Sequence, residues 1–390
     1  MEGQKKEKLY IDWILLTAVA LLTLFGLVMI YSASYVEGYT DFNNPSYYFN
    51  RQLRWFVVSS ILLLFFMFFP YRHFQKLSPW IVLVSIILLV LIFIPGVGAN
   101  VGGATRWIDI FGVRLQPSEF VKLGSIIYLA YIYSRKQSYI NKFFTGVLPP
   151  LIVVLVFFVL IMEQPDLGTA TTIVIVAGLI AFSSGARKIH IFSLGALAGF
   201  AVLQYAISAE YRMNRLIGYR TPFELEGTDG FQLVQSYIAI AHGGLSGAGL
   251  GESVQKLFYL PEAHTDFILA VVSEELGVIG IAFVFACMLT IIFRGILIGV
   301  RCKDTFGSLL AFGIIFQLAL QMIFNAGAVS GVLPITGIPF PFISYGGSSL
   351  MVIFTAMGIL ANISRRTEKA RREHDPEEEE WDNHQLTHAR

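Results

Sequence analysis

Ten stretches of this chain are apolar for long enough to cross a lipid bilayer, or nearly so, and no other feature limits the fold as strongly. They lie near residues 11–31, 55–70, 79–96, 118–134, 147–162, 168–184, 189–208, 267–293, 307–329 and 346–363. A spanning helix needs about 20 mostly apolar residues, because hydrocarbon offers no partner to an unpaired backbone group. Charged residues are only 14% of the chain, against about 25% in soluble domains, and the mean hydropathy is +0.65. A soluble core does not repeat such runs this often, so the expected fold is an all-α polytopic membrane protein with about ten transmembrane helices.

Lys5, Lys6 and Lys8 precede the first run and Ser32-Ala33-Ser34 follow it, as around a signal peptide. The run outlasts the roughly 7–15 apolar residues of such a segment, which points to an uncleaved anchor. With the amino terminus inside, the inner segments carry 19 Lys and Arg, Arg390 included, and the outer ones 8. That bias places both termini in the cytoplasm. The division is then a cytoplasmic N-terminus at 1–10, a transmembrane domain at 11–363 with a long outer loop at 209–266, and a disordered cytoplasmic tail at 364–390. Two cysteines, Cys287 and Cys302, imply no disulfide framework. No metal-ligand spacing, phosphate-cradling loop or nucleophile elbow occurs.

The outer segments concentrate the unusual residues. Segment 97–117 is rich in glycine, and 231–242 reads as a short amphipathic helix in the interface or on the bundle. In 330–349, Pro334, Pro339 and Pro341 with Gly337, Gly346 and Gly347 break the chain before the last run, which is tolerated at membrane depth only against protein or a polar cavity. Ionisable residues in or near the spans are costly and mark candidate sites. Glu119 and Lys122 share one helical face and could be an intrahelical pair or part of a site. Asp166 could cap the sixth helix, and Glu274 with Glu275 must face protein or a cavity. Asp266, in Pro261-Glu262-Ala263-His264-Thr265-Asp266, could cap the following helix or act as a general base facing a groove.

Several stretches are similar to the shape, elongation, division and sporulation (SEDS) family. They are GGATRWIDIFGVRLQPSEFVKL at 102–123, EQPDLGTA at 163–170, FQLVQSYIAIAHGGLSGAGLGESVQKLFYLPEAHTDFI at 231–268, EELG at 274–277 and PITGIPFPFISYGGSS at 334–349. The resemblance covers the whole membrane region and is closer to the division and sporulation members than to the elongation members. It implies a ten-helix SEDS-type bundle in the bacterial cytoplasmic membrane. It also implies glycosyl transfer: lipid II polymerised into β-1,4 glycan strands on the outer face. On that footing Asp266 is the catalytic carboxylate, and Glu119 and Lys122 line a polar cavity.

Lipid II carries its own pyrophosphate leaving group, so one base and cations to hold the pyrophosphate suffice, in contrast to the two carboxylates of glycosidases. Lys122 and Arg106 are the first candidates for the cations, followed by Arg51, Arg54, Arg212 and Arg215. His264, Ser344 and Ser348 complete the candidate substrate-binding set. No cofactor is required, though a divalent cation (Mg or Mn) could share the charge. The expected partners are lipid II, the growing glycan strand, a class B penicillin-binding protein and other divisome proteins, with no nucleic acid. A lipid II flippase and a noncatalytic divisome scaffold remain the alternatives.

Overall fold

The computed structural model describes residues 10–101, 104–110, 113–207, 217–228 and 230–373. Ten long helices make up the bundle: α1 (Trp13–Phe42), α2 (Tyr47–Phe68), α3 (His73–Leu91), α4 (Pro117–Arg135), α5 (Leu148–Met162), α6 (Leu167–Ser183), α7 (Lys188–Ile207), α9 (Ile268–Arg301), α10 (Thr305–Val329) and α11 (Gly347–Glu373). A shorter helix, α8 (Phe231–Gly243), precedes α9. Among the described residues, seven helices are long and apolar enough to cross a membrane: α1, α2, α3, α9, α10, α11, and α5 together with its leading turn from Phe143. α6 is short at 17 residues, and α4 carries Glu119, Lys122 and Arg135. The chain is a multi-pass membrane protein.

α4 and α10 sit at the middle of the bundle. α4 packs on α3, α6, α10 and α11, while α10 packs on α4, α6 and α9. α11 lies along α2, and the Asn362 side chain binds the α2–α3 turn, accepting from Tyr71 N (3.0 Å) and donating to Met67 O (2.8 Å). The start of α1 meets the end of α9 through Asp12 and Arg294. Both ends of the ten-helix path therefore lie on one side, as the charge bias requires.

Several boundaries differ from the sequence reading. α1 runs on to Phe42, and α2 starts at Tyr47, because polar residues in a helix cost little beyond the hydrocarbon. α11 continues to Glu373 instead of yielding to a tail at 364; its last turns are rich in Arg, Glu, Lys and Ala, all strong helix formers. The glycine-rich outer segment is a three-stranded antiparallel sheet, β1 (Gly98–Val101), β2 (Ala104–Ile110) and β3 (Val113–Leu115). Residues 104–110 are rich in β-branched and aromatic types (Thr105, Trp107, Ile108, Ile110), and Asp109 pairs in register with Arg114. α8 packs on α9 and buries polar Gln235 and Ser236 together with Leu233 and Val234; Ser236 donates to Val329 O (2.7 Å), and Ile238 is left outside.

α9 is broken at Gly277 (φ 61°), and the glycine-rich loop after α8 repairs the break. Ala248 N and Gly249 N donate to the carbonyls of Glu274 (2.9 Å) and Glu275 (3.0 Å), while Val278 N donates to Gly244 O (3.1 Å). A Cβ at Gly277 would fall 2.5 Å from Gly247 N, so glycine is required there for space as well as for φ. The two carboxylates beside the break are wholly buried and satisfied. Glu274 accepts from Ser253 Oγ, Val254 N and Gln255 N and contacts His242 Nδ1 at 3.0 Å. Glu275 accepts from Ser32 Oγ (2.6 Å) and pairs with Lys256 Nζ (2.7 Å). Thus one loop is tied to α1 and α9 by charges that cannot reach water.

Removing one member of a buried ion pair leaves the other uncompensated, at a cost of about 3–5 kcal/mol. Lys256→Ala is expected to lower the melting temperature of the detergent-solubilised protein strongly, and the double replacement Lys256→Met with Glu275→Gln to recover much of that loss.

Candidate functional site

Four of the five segments singled out in the sequence meet at the outer end of the bundle. Arg106, on β2, donates through Nε to Gln164 O (3.1 Å) and through Nη2 to Pro165 O, clamping the sheet onto the α5–α6 turn. In that turn Asp166 caps α6, accepting from Thr169 N (3.2 Å), and its other oxygen lies 3.5 Å from Gln116 Nε2. Gln116 N donates to Ser348 Oγ (3.0 Å), which joins the start of α4 to the start of α11. Gly168 packs so closely on the 334–341 segment that a Cβ there would sit 2.6 Å from Thr336 O.

Asp266 lies in the loop before α9 and is held by its backbone. Asn325 of α10 donates from one amide nitrogen to Asp266 O (2.7 Å) and Ile338 O (2.8 Å). Ser344 Oγ donates to Thr265 O (2.6 Å) and accepts from Phe340 N (2.8 Å); Tyr345 N donates to His264 O (3.0 Å). Glu262 (φ 55°) and Phe342 (φ 68°) hold left-handed backbone nearby, at about 1–3 kcal/mol each. The loop is thus fixed at three consecutive carbonyls, while among the described residues no donor binds the Asp266 carboxylate.

That carboxylate rests against Gly337, where a Cβ would fall 3.4 Å from Oδ2. It does not cap α9, whose N-cap is Phe267. Burial pushes the Asp266 carboxyl up to about 7, assisted by the charges of Glu262 and Asp166 and opposed by Arg106 and His264. A half-buried carboxylate with that balance holds or releases a proton near neutrality, as a general base must.

The other candidates divide. Glu119 and Lys122 form a buried pair at 2.7 Å, 3% and 4% exposed in their side chains, on the first turns of α4. They border a void of about 20 Å³ between α4, α10 and α11, room for about one water. Glu119 Oε2, both amide atoms of Gln317 and Gln321 Oε1 are buried there without a hydrogen-bond partner among the described residues. His264 is buried away from the carboxylate, with Nδ1 3.1 Å from Glu37 Oε2 and its ring on Tyr48 and Tyr345. Arg51 is bonded to Tyr47 OH (3.0 Å), and Arg54 to Asn50 O (3.3 Å). Their charges, with that of Arg114, bear on the Tyr345 phenol, which burial raises and these cations oppose. Arg212 and Arg215 lie outside the described residues.

The sequence reading missed Gln317, Gln321 and Asn325. Their signal was present: residues four apart on an apolar span form one polar ridge. It runs from the Glu119–Lys122 pair to the clamp on Asp266. Gln52, which accepts from Gly346 N (3.2 Å), and Arg114 were likewise not singled out as ligands of this region.

The sequence profile of the FtsW, RodA and SpoVE cell cycle proteins matches residues 12–369. The chain belongs to that family, the SEDS family. It is 42% identical to the probable peptidoglycan glycosyltransferase FtsW of Geobacter metallireducens over 90% of this chain and 94% of the relative. It is also 42% identical to the stage V sporulation protein E of Bacillus subtilis, over 91% of this chain and 97% of that one. Among solved structures, a peptidoglycan synthase complex that coordinates polymerization and crosslinking matches with TM-score 0.75 at 23% identity, covering 92% of this chain and 98% of that chain. The rod shape determining protein RodA of Thermus thermophilus matches with TM-score 0.68 at 21% identity, covering 92% and 97%. The SEDS fold expected from the resemblance is the fold observed.

Truncating Asn325 strands the buried carbonyl of Ile338, worth about 1–3 kcal/mol, and the partly buried one of Asp266, worth about 1 kcal/mol. Asn325→Ala is expected to lower stability by about 2–4 kcal/mol, read as a fall in the melting temperature in detergent.

Proposed function

We propose that this SEDS protein is a peptidoglycan glycosyltransferase that polymerises lipid II on the outer face of the cytoplasmic membrane during division or sporulation, with Asp266 as general base. The observation that carries the reading is the clamped carboxylate of Asp266 beside Arg106, without a bound donor among the described residues, where four of the five segments meet. The names of the FtsW and SpoVE relatives support the reaction and its setting.

The residues fit the chemistry. The 4-hydroxyl of the acceptor sugar attacks the anomeric carbon of the other substrate as the bond to pyrophosphate breaks. Asp266 takes the hydroxyl proton, and the α-linked donor is inverted to a β-1,4 linkage. Such a base contributes about 10²–10⁴ in rate. The departing pyrophosphate carries its own negative charge, so no protein acid is needed. Cations must hold it instead, with Arg106 as the first candidate and Arg51 and Arg54 at the rim, whereas Lys122, buried against Glu119 beside a void for about one water, has no room for a pyrophosphate. Ser344 and Ser348 keep the broken segment in place around the site. A divalent cation (Mg or Mn) could share the pyrophosphate charge; among the described residues no group of three His, Cys, Asp or Glu is placed to hold one without the substrate. The polyprenyl chain stays in the bilayer while the head reaches the outer groove.

The likeness to a peptidoglycan synthase complex supports work beside a class B penicillin-binding protein, with other divisome proteins around the pair. Lipid II polymerisation in liposomes, with that partner present, tests the reading. Glycan chains are expected from the wild type. Asp266→Asn should lose about 10²–10⁴ of the rate. A raised carboxyl pKa means that ionising Asp266 costs the fold stability as pH rises through about 7, so the amide variant should melt no lower above that pH. Wild-type rates from the variant would remove Asp266 from the mechanism. Absence of chains from the wild type, with lipid II crossing the bilayer, would replace the enzyme with a flippase.

A further inference from the structure

Two helices set a scale for the bilayer. At the inner end Asp12, which caps α1, pairs with Arg294 of α9 at 2.7 Å. At the outer end Ser32 of α1 donates to Glu275 of α9 (2.6 Å), and Lys256 Nζ joins them, 2.7 Å from Glu275 Oε1 and 3.1 Å from Ser32 Oγ. Twenty residues separate Asp12 from Ser32 and nineteen separate Glu275 from Arg294, about 28–30 Å of helix on either path. Neither stretch holds a charged residue between its ends. Hydrocarbon is about 30 Å thick, so the two polar contacts bracket it. The outer boundary therefore passes through the loop that carries Lys256.

That loop, 244–259, turns apolar side chains outward at this level. Between two buried anchors, Lys256 and Leu260, it presents Leu257, Phe258 and Tyr259, which are 41%, 60% and 53% exposed. Phe258 holds left-handed backbone (φ 65°), a conformation that a bulky residue keeps only where its surroundings impose it. Leu245 and Leu250 are exposed as well. Leu245 O accepts from Ile279 N (3.4 Å), beside the exposed Val278 and Ile279 side chains of the spanning helix α9. Glu252 is the one exposed charge of the loop. An apolar surface level with the hydrocarbon edge, continuous with a lipid-facing helix and nearly free of charge, fits the leaflet itself. We propose that loop 244–259 inserts into the outer leaflet, with Leu257 and Phe258 among the first acyl carbons and Tyr259 at headgroup level, where aromatic rings gather. Insertion keeps water from the Lys256–Glu275 pair beneath the loop. It also sets the height of the outer site: α9 runs seven residues from Glu275 back to Ile268, about 10 Å, which holds the Asp266 loop above the hydrocarbon. The insertion does not depend on the glycosyl transfer proposed there.

The test places the full-length wild type, alone, in nanodiscs of phosphatidylcholine with or without phosphatidylglycerol. An apolar carbene precursor that partitions into the bilayer is photolysed, and its adducts are mapped by mass spectrometry. Labelling at 257–259 should match that at Val278 and Ile279 and exceed several-fold that at Glu224 and Glu226, exposed residues of the outer loop. Phosphatidylglycerol should leave the pattern unchanged, because the inserted side chains are uncharged. A nitroxide supplies a second reading. On Phe258→Cys, with the buried Cys287 and Cys302 replaced by serine, it should meet dissolved oxygen in preference to a water-soluble nickel chelate several-fold more than the same label on Glu226→Cys. Carbene labelling at 257–259 no higher than at 224 and 226 would overturn the proposal. So would a nitroxide at 258 as open to nickel as at 226, or one shielded from both reagents, as beneath a second copy of the chain. The wild-type labelling decides the matter even where the cysteine variant does not fold.

Discussion

Hydrocarbon supplies no hydrogen bonds, so each break of a helix at membrane depth has to be closed by the protein itself. This constraint organises the outer half of the molecule. The break of α9 at Gly277 is closed by the loop at 244–249, which exchanges backbone bonds with both sides of the gap. The broken segment before α11 is closed by Asn325, Ser344 and Gln52. Each repair brings a loop into register with a helix. The loop carrying Asp266 is the piece held between the two repaired breaks.

The same economy separates two kinds of buried charge. Glu274 and Glu275 have their oxygens occupied by donors or by Lys256, and they brace the loop. The Asp266 carboxylate has a guanidinium within electrostatic reach and other carboxylates close enough to raise it, yet among the described residues no bonded donor. A braced carboxylate is chemically spent, whereas an unbraced one keeps its basicity for a substrate proton. Placing the second kind on a loop fixed at its carbonyls gives orientation without consuming the side chain, which is how a base is pre-positioned.

Much of this was legible in the sequence, and the limits have physical causes. Apolar runs give the helices because the bilayer sets their length. The Pro- and Gly-broken segments and the ionisable residues mark the outer site because neither survives in lipid without a reason. Asp166 was readable as a cap because capping is local. What the pattern could not give is pairing across the bundle. That His264 turns to Glu37, that Asn325 holds Asp266, and that Lys256 meets Glu275 are contacts between residues far apart in the chain. The sheet at 98–115 was not legible, because 104–110 lacks a polar–apolar alternation and is set among glycines. Arg212 and Arg215 fall outside the described residues.

The most direct measurement is the pH dependence of lipid II polymerisation by the wild type and by Arg106→Gln, each in liposomes with the partner transpeptidase. A base must be deprotonated to act, so the wild-type rate should fall about tenfold per unit below a limb near pH 7, the value to which burial raises Asp266. Arg106 opposes that rise, so its removal should move the limb to higher pH while the rate on the alkaline plateau, though reduced, persists. A wild-type rate flat from pH 5 to 8, or a limb that the loss of Arg106 leaves in place, would contradict Asp266 as the titrating base.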